Sequence, residues 1–88
     1  MVSKKVTIIN PTGLHLRPAG VLCNTAARFE SHISFTGKGG TNANAKSVLS
    51  VLAACVRFGD EIEISCEGED ENEALEAVVK LIESGMEE

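Results

Sequence analysis

Residues 61–67 read EIEISCE, and their alternation is strict: Ile62, Ile64 and Cys66 fall on one side, Glu61, Glu63, Ser65 and Glu67 on the other. Period-two patterning of this kind is a β-strand with one face on a core and the other in water. A strand with a wet face does not belong to a sheet covered on both sides, so the helices of this chain must all lie on the same side. The neighbouring segments agree. Residues 2–9 set Val6 and Ile8 against Lys5 and Thr7, and HISFT at 32–36 turns Ile33 and Phe35 inward. GKGG at 37–40 predicts a hairpin turn, and TNANA at 41–45 a weak strand of small residues.

Between these strands the period changes to that of a helix. From Pro18 to Phe29, the residues Ala19, Leu22, Cys23, Ala26 and Phe29 form one apolar stripe. SVLSVLAAC, from Ser47 to Cys55, is a short apolar helix with a serine in front. From Asp70 to about Ser84 the stripe is Ala74, Leu75, Val78, Leu81 and Ile82. Asp70 and Glu73 are spaced as a capping box, and Gly85 is a stop signal. The order β-α-β-β-α-β-α predicts one α+β domain over residues 1–88. Its architecture is an open-faced β-sandwich: a four-stranded, mainly antiparallel sheet with three helices on one face. The order of the strands within the sheet is left open by this pattern.

Bulk properties narrow the function. A chain of 88 residues has surface enough for one core. With three Phe and neither Tyr nor Trp, it lacks the stacking platforms of single-strand nucleic-acid binders. The net charge of −5 is unevenly spread. Residues 1–59 hold seven Lys/Arg and one acid, residues 60–88 one Lys and twelve acids. An overall acidic chain with a basic first part suits an acidic or phosphate-bearing protein partner and not nucleic acid. Cys23, Cys55 and Cys66 follow no metal-ligand spacing and predict reduced thiols, hence a cytoplasmic protein without metal or cofactor. The apolar run near the start, Val6 to Ile9, is too short for a signal sequence, and no segment predicts membrane insertion.

The chemistry points to NPTGLHLRPAG, residues 10–20. A histidine and an arginine stand two positions apart, where a loop gives way to a helix. The first N–H groups of such a helix lack partners and carry partial positive charge, which suits an anion. A neutral imidazole at pH 7 brings a nucleophilic lone pair. If His15 took up a phosphoryl group, the N–H groups around Leu16, Arg17 and Pro18 and the Arg17 fork would hold its oxygens. Pro18 suits a first helical turn. It also disfavours helical geometry at Arg17, which allows a helix starting at Pro18 with Arg17 as its cap. His32 has no such neighbours and reads as a surface residue.

GLHLRPAG, AKSVLSVL and GDEIEISCEGEDENEAL, together with the element order, resemble HPr, the histidine-containing phosphocarrier of the phosphoenolpyruvate-dependent sugar phosphotransferase system. The resemblance covers nearly the whole chain. It implies that His15 accepts a phosphoryl group on a ring nitrogen, Nδ1 in the family, from phosphorylated enzyme I and passes it to the enzyme IIA domain of a sugar permease. Arg17 then matches the arginine that neutralises phosphate charge. Leu16 is bulkier than the Thr or Ala common at its place.

Ser47 is an N-cap by position. In many Gram-positive-type relatives the matching serine is phosphorylated by HPr kinase/phosphorylase, linking sugar uptake to catabolite repression through a transcription regulator. Leu16, Gly20, Arg28, Lys46, Val48, Leu49 and Val51 are the expected docking residues, on a monomer. Two other readings are a regulatory or nitrogen-type paralogue that works by binding, and a small phosphatase. The pair His15 and Arg17 speaks against a purely regulatory paralogue, since such relatives have typically lost the histidine, but leaves the nitrogen-type branch open. The lack of an acid near His15 in sequence speaks against the phosphatase.

Overall fold

The computed structural model describes residues 1–85, with the backbone alone at Lys38. The chain runs through β1 (Val2–Thr7), α1 (Leu16–Ala26), β2 (His32–Thr36), β3 (Asn42–Asn44), α2 (Val48–Ala53), β4 (Glu61–Glu67) and α3 (Glu71–Glu83). The expected element order is therefore observed over the described residues; 86–88 of the expected 1–88 span lie outside them. The sheet order is β1-β4-β2-β3, and each neighbouring pair is antiparallel.

The alternation of β4 explains its central position. Its apolar face pairs Ile62 with Val6, Cys66 with Val2 and Ile33, and Ile64 with Phe35. Its polar face sets Glu63 against Lys5 and Thr36, and Glu67 against His32. On that face Glu63 and Thr36 are half-buried, while Lys5, Glu67 and His32 are exposed, His32 as a surface residue. Under the apolar face, Phe35, Ile33, Ile62 and Ile64 meet Ile8, Leu22, Val51, Val78 and Ile82, all of them fully buried. Cys23 and Cys66 belong to this core, and burial pushes both thiols above the ordinary range. For Cys66 the carboxylates of Glu71 and Asp70 add to the effect. Cys55 is exposed.

The boundaries of several elements differ from expectation, as in α2 (Val48–Ala53) and β3 (Asn42–Asn44), each shorter than the pattern predicts. β1 ends at Thr7, and Ile8 continues the pairing through the loop before β4, donating to the Asp60 carbonyl at 2.9 Å and accepting from Gly59 N–H at 2.8 Å. α1 begins at Leu16, with His15 and not Arg17 as its N-cap. Pro18 is then the third helical residue, where its ring faces no intrahelical carbonyl and its missing N–H costs no bond. At its other end α1 stops at Ala26. The chain tightens there through bonds from Arg28 to Thr25 and from Phe29 to Ala26, leaving Phe29 half-buried against the core. The segment 37–40 does form the expected hairpin turn, joining the antiparallel strands β2 and β3 through a short 3-10 turn, Lys38–Gly40.

Asp70 does not cap α3 as its spacing predicts. It precedes α3, but its side chain makes no cap bond. Its carboxylate instead accepts from the backbone N–H of Glu30 and Ser31, each at 2.9 Å, and from the Ser31 hydroxyl. The bond from the Ser31 hydroxyl, then that from Glu30 N–H, holds the Asp70 carboxyl below its usual range. A carboxylate depressed in this way stabilises the fold above its unfolded pKa of about 3.9, and that stability is lost as pH falls through the lower folded value. Asp70→Asn is therefore expected to lower the thermal unfolding midpoint at pH 7. Its deficit should shrink below about pH 4 as the wild-type carboxylate protonates. A constant deficit from neutral to acid pH would show that Asp70 acts through shape and not charge.

Candidate functional site

The loop from Asn10 to His15 is built around a glycine. Gly13 N–H donates to the Asn10 carbonyl at 3.0 Å and closes a turn. The buried Asn10 amide donates to the Gly13 carbonyl and, at 3.5 Å, to the Thr12 hydroxyl. Gly13 has φ +65°, and a Cβ there would lie 2.5 Å from the Val56 carbonyl oxygen and 2.8 Å from Arg57 Cα. Only glycine lets the two backbones come this close. Leu14 follows into the core and donates its N–H to the same Val56 carbonyl at 3.0 Å.

The next residue comes out into solvent. His15 is exposed and has extended backbone angles, φ −77° and ψ −173°. Its carbonyl accepts from Ala19 N–H at 2.8 Å, while its ring makes no capping bond. The imidazole is thus not spent on the helix. The N–H groups of Leu16 and Arg17 lie in the first turn, where a helix supplies no acceptor for them. The third position holds Pro18, which is buried and has no N–H. Arg17 is exposed two residues from His15.

The close approach at Gly13 also shapes an open hollow of about 270 Å³ beside the imidazole. Thr12, Leu14 and His15 line one side; Leu52 and the turn Cys55–Val56–Arg57 line the other. The turn is bent by Cys55, which has φ +53°, and is held where Arg57 N–H donates to the Asp60 carboxylate at 3.0 Å. Arg57 is exposed. Arg57 belongs to no motif that sequence reading singles out, and Thr12 and Cys55 lie in quoted stretches without being given a role there. The signal that leads to them is Gly13, but its meaning depends on which backbone it meets.

Ser47 is placed as expected, as the N-cap of α2, its hydroxyl oxygen accepting from Ser50 N–H at 3.2 Å. The expected docking residues separate. Leu16 is 69% and Leu49 81% exposed; Gly20 lies one turn after Leu16 on the same side of α1, with nothing within 4 Å of an added Cβ. Val48 is half-buried against the core, and Arg28 is exposed. Lys46 is not a loose rim charge, since its ammonium donates to the Phe29 carbonyl at 2.6 Å and ties the start of α2 to the end of α1. Val51 is a correction: it is 0% exposed. Val51 supplies the stripe by which α2 meets the core, so it has no surface to offer a partner.

Among the described residues no group of three or more His, Cys, Asp or Glu side chains is placed to hold a metal ion. No helix among them is long and apolar enough to cross a membrane. A family model described as "PTS HPr component phosphorylation site" matches residues 2–84. The chain belongs to the HPr family. HPr proteins are phosphocarriers, not catalytic enzymes. Phosphocarrier protein HPr of Treponema pallidum is 39% identical over 88 residues, covering 100% of this chain and 99% of that protein. The crystal structure of HPr from Thermoanaerobacter tengcongensis superposes with a TM-score of 0.93 at 42% identity, covering 100% of this chain and 99% of the other. A second kind of relative is Crh, a Bacillus subtilis catabolite repression protein seen as a swapped dimer. It is 35% identical with a TM-score of 0.77, and each chain is covered in full. The relatives of this chain thus include both phosphocarrier HPr proteins and the catabolite repression protein Crh.

Proposed function

We propose that this chain carries phosphoryl groups in the sugar phosphotransferase system, accepting one on His15 from phosphorylated enzyme I and delivering it to enzyme IIA. The observation that carries the reading is an exposed imidazole at a helix start whose ring is not engaged as a cap, in a chain of the HPr family. In the acceptance step the His15 lone pair forms a new N–P bond. The old N–P bond breaks, and its electron pair returns to the donor imidazole. Such a transfer asks chiefly for in-line positioning and for stabilised oxygens. The N–H groups of Leu16 and Arg17 and the Arg17 guanidinium supply the stabilisation. Leu16, Gly20, Arg28, Lys46, Val48 and Leu49 form the docking surface. A small contact of this kind suits a monomeric cytoplasmic carrier that must leave each partner quickly. With enzyme I and phosphoenolpyruvate, the protein should gain one acid-labile, base-stable phosphate; the absence of such a label overturns the reading.

Ser47 is a second phosphate acceptor in this proposal, modified by an HPr kinase/phosphorylase and read by a catabolite-control transcription regulator. The similarity to Crh favours it. Phosphorylation adds close to two negative charges at a helix start, where charge of that sign is tolerated. Treatment with HPr kinase and ATP should add a single acid-stable phosphate that is missing from Ser47→Ala. The same label on the Ser47→Ala protein would place the modification elsewhere.

A further inference from the structure

Arg17 is not among the residues lining the hollow beside the imidazole, whereas Arg57 is. The hollow's remaining walls are Thr12, Leu14, Leu52, Cys55 and Val56, so Arg57 brings its fixed positive charge. Among the described residues the guanidinium of Arg57 has no carboxylate within 4 Å and no hydrogen-bond partner. The ion pair found there joins the N-terminal ammonium to Glu71, and the nearby Asp60 carboxylate is engaged by the Arg57 backbone N–H. A guanidinium left unpaired on a residue that shares this hollow with His15 has donors to offer an oxyanion. The approach at Gly13 fixes the register, since Gly13 packs on the Arg57 backbone while Leu14 is bonded to Val56. The residue before His15 and the residue before Arg57 are thereby held together through one hydrogen bond of 3.0 Å.

We infer that Arg57 is a second cationic group for the phosphoryl group on His15, contacting its oxygens from the hollow while Arg17 acts from the first turn of α1. The inference rests on His15 being the phosphoryl acceptor. It assigns a role to a residue some forty positions from the histidine motif, and one that the exposed guanidinium can fill without disturbing the fold.

The test uses phosphoramidate, a small chemical donor, so that it runs without enzyme I. The His15 lone pair attacks phosphorus, the N–P bond of phosphoramidate breaks, and ammonia leaves. The pH dependence of the phosphohistidine 31P shift is then followed in wild type, Arg57→Ala, Arg57→Lys, Arg57→Glu and Arg17→Ala. A nearby cation disfavours proton binding by the phosphorylated ring and its phosphoryl group alike, so removing it raises the titration midpoint. For an exposed pair the rise in Arg57→Ala should be roughly half a pH unit. It should be larger in Arg57→Glu, nearly absent in Arg57→Lys, and reduced in molar salt. Labelling by phosphoramidate should slow about threefold in Arg57→Ala, with an unchanged thermal unfolding midpoint. If Arg57→Ala titrates as wild type while Arg17→Ala is shifted, the proposal is overturned and the phosphocarrier reading stands. If no phosphohistidine forms on wild type with either phosphoramidate or enzyme I, both fail.

Discussion

Replacing His15 by alanine should leave a folded protein that takes up no phosphoryl group from enzyme I. The loss is total because the acceptor atom itself is removed, and the remaining described histidine, His32, lies on the open polar face of the sheet opposite Glu67. Folding should be nearly untouched. The service His15 gives to α1 is its backbone carbonyl, bonded to Ala19 N–H at 2.8 Å, and alanine keeps that bond. The ring makes no capping bond, so the usual penalty for losing a cap, about 1 kcal/mol, does not arise. The stability change should therefore stay within about 0.5 kcal/mol. Intact mass after incubation with enzyme I and phosphoenolpyruvate, together with a thermal melt, tests both statements. A phosphate that persists on His15→Ala and is acid-labile would remove His15 from the mechanism. A collapsed melt would show that the ring has a structural role.

Gly13→Ala is the substitution expected to do most damage to both fold and site. The residue holds φ +65°, and the new Cβ would sit 2.5 Å from one backbone atom and 2.8 Å from another. No side chain can rotate to make room. The left-handed conformation costs an alanine roughly 1–2 kcal/mol. Pushing the loop outward also weakens the bond from Leu14 to Val56, worth about 1 kcal/mol. A total near 2–3 kcal/mol lowers the melting midpoint of so small a domain by roughly 10–20 °C. His15 moves with the loop, so phosphoryl acceptance should fall as well, even at temperatures where the protein is folded. Gly20→Ala is the matched control. Gly20 lies inside α1 with nothing within 4 Å of an added Cβ, so alanine there should raise stability by roughly 0.5–1 kcal/mol. Equal melting midpoints for the two variants would mean that the close approach at Gly13 is not needed.

These two predictions draw on different depths of information. His15 and Arg17 stand out in the linear chain because a helix start, a proline and two functional groups lie within four residues. Ser47 is legible for the same reason, as a polar residue before an apolar run. The docking residues are less so. Val51 falls in the same apolar run as Leu49, and two positions along a helix turn a side chain by about 200°, one into the core and the other to water. A helix of six residues, shorter than two turns, leaves its apolar run too short to say which member faces in. Asp70 likewise stands where a helix cap belongs, yet its oxygens are taken by Glu30 and Ser31, forty positions earlier and adjacent only after folding.

Read alone, the sequence determined what short-range physics controls. Period-two alternation in EIEISCE and HISFT sets one wet and one dry face on the sheet, and the helical stripes commit every helix to the dry face. The nucleophile and its neighbouring arginine are set within a single helix turn. What depended on tertiary structure is whatever joins distant segments. The central position of β4, the burial of Val51 and the meeting of Gly13 with Val56 and Arg57 all follow from packing one surface on another. A glycine in a loop carries no mark of which backbone it will touch. That contact, and with it the hollow that His15 and Arg57 share, exists only once the chain has folded.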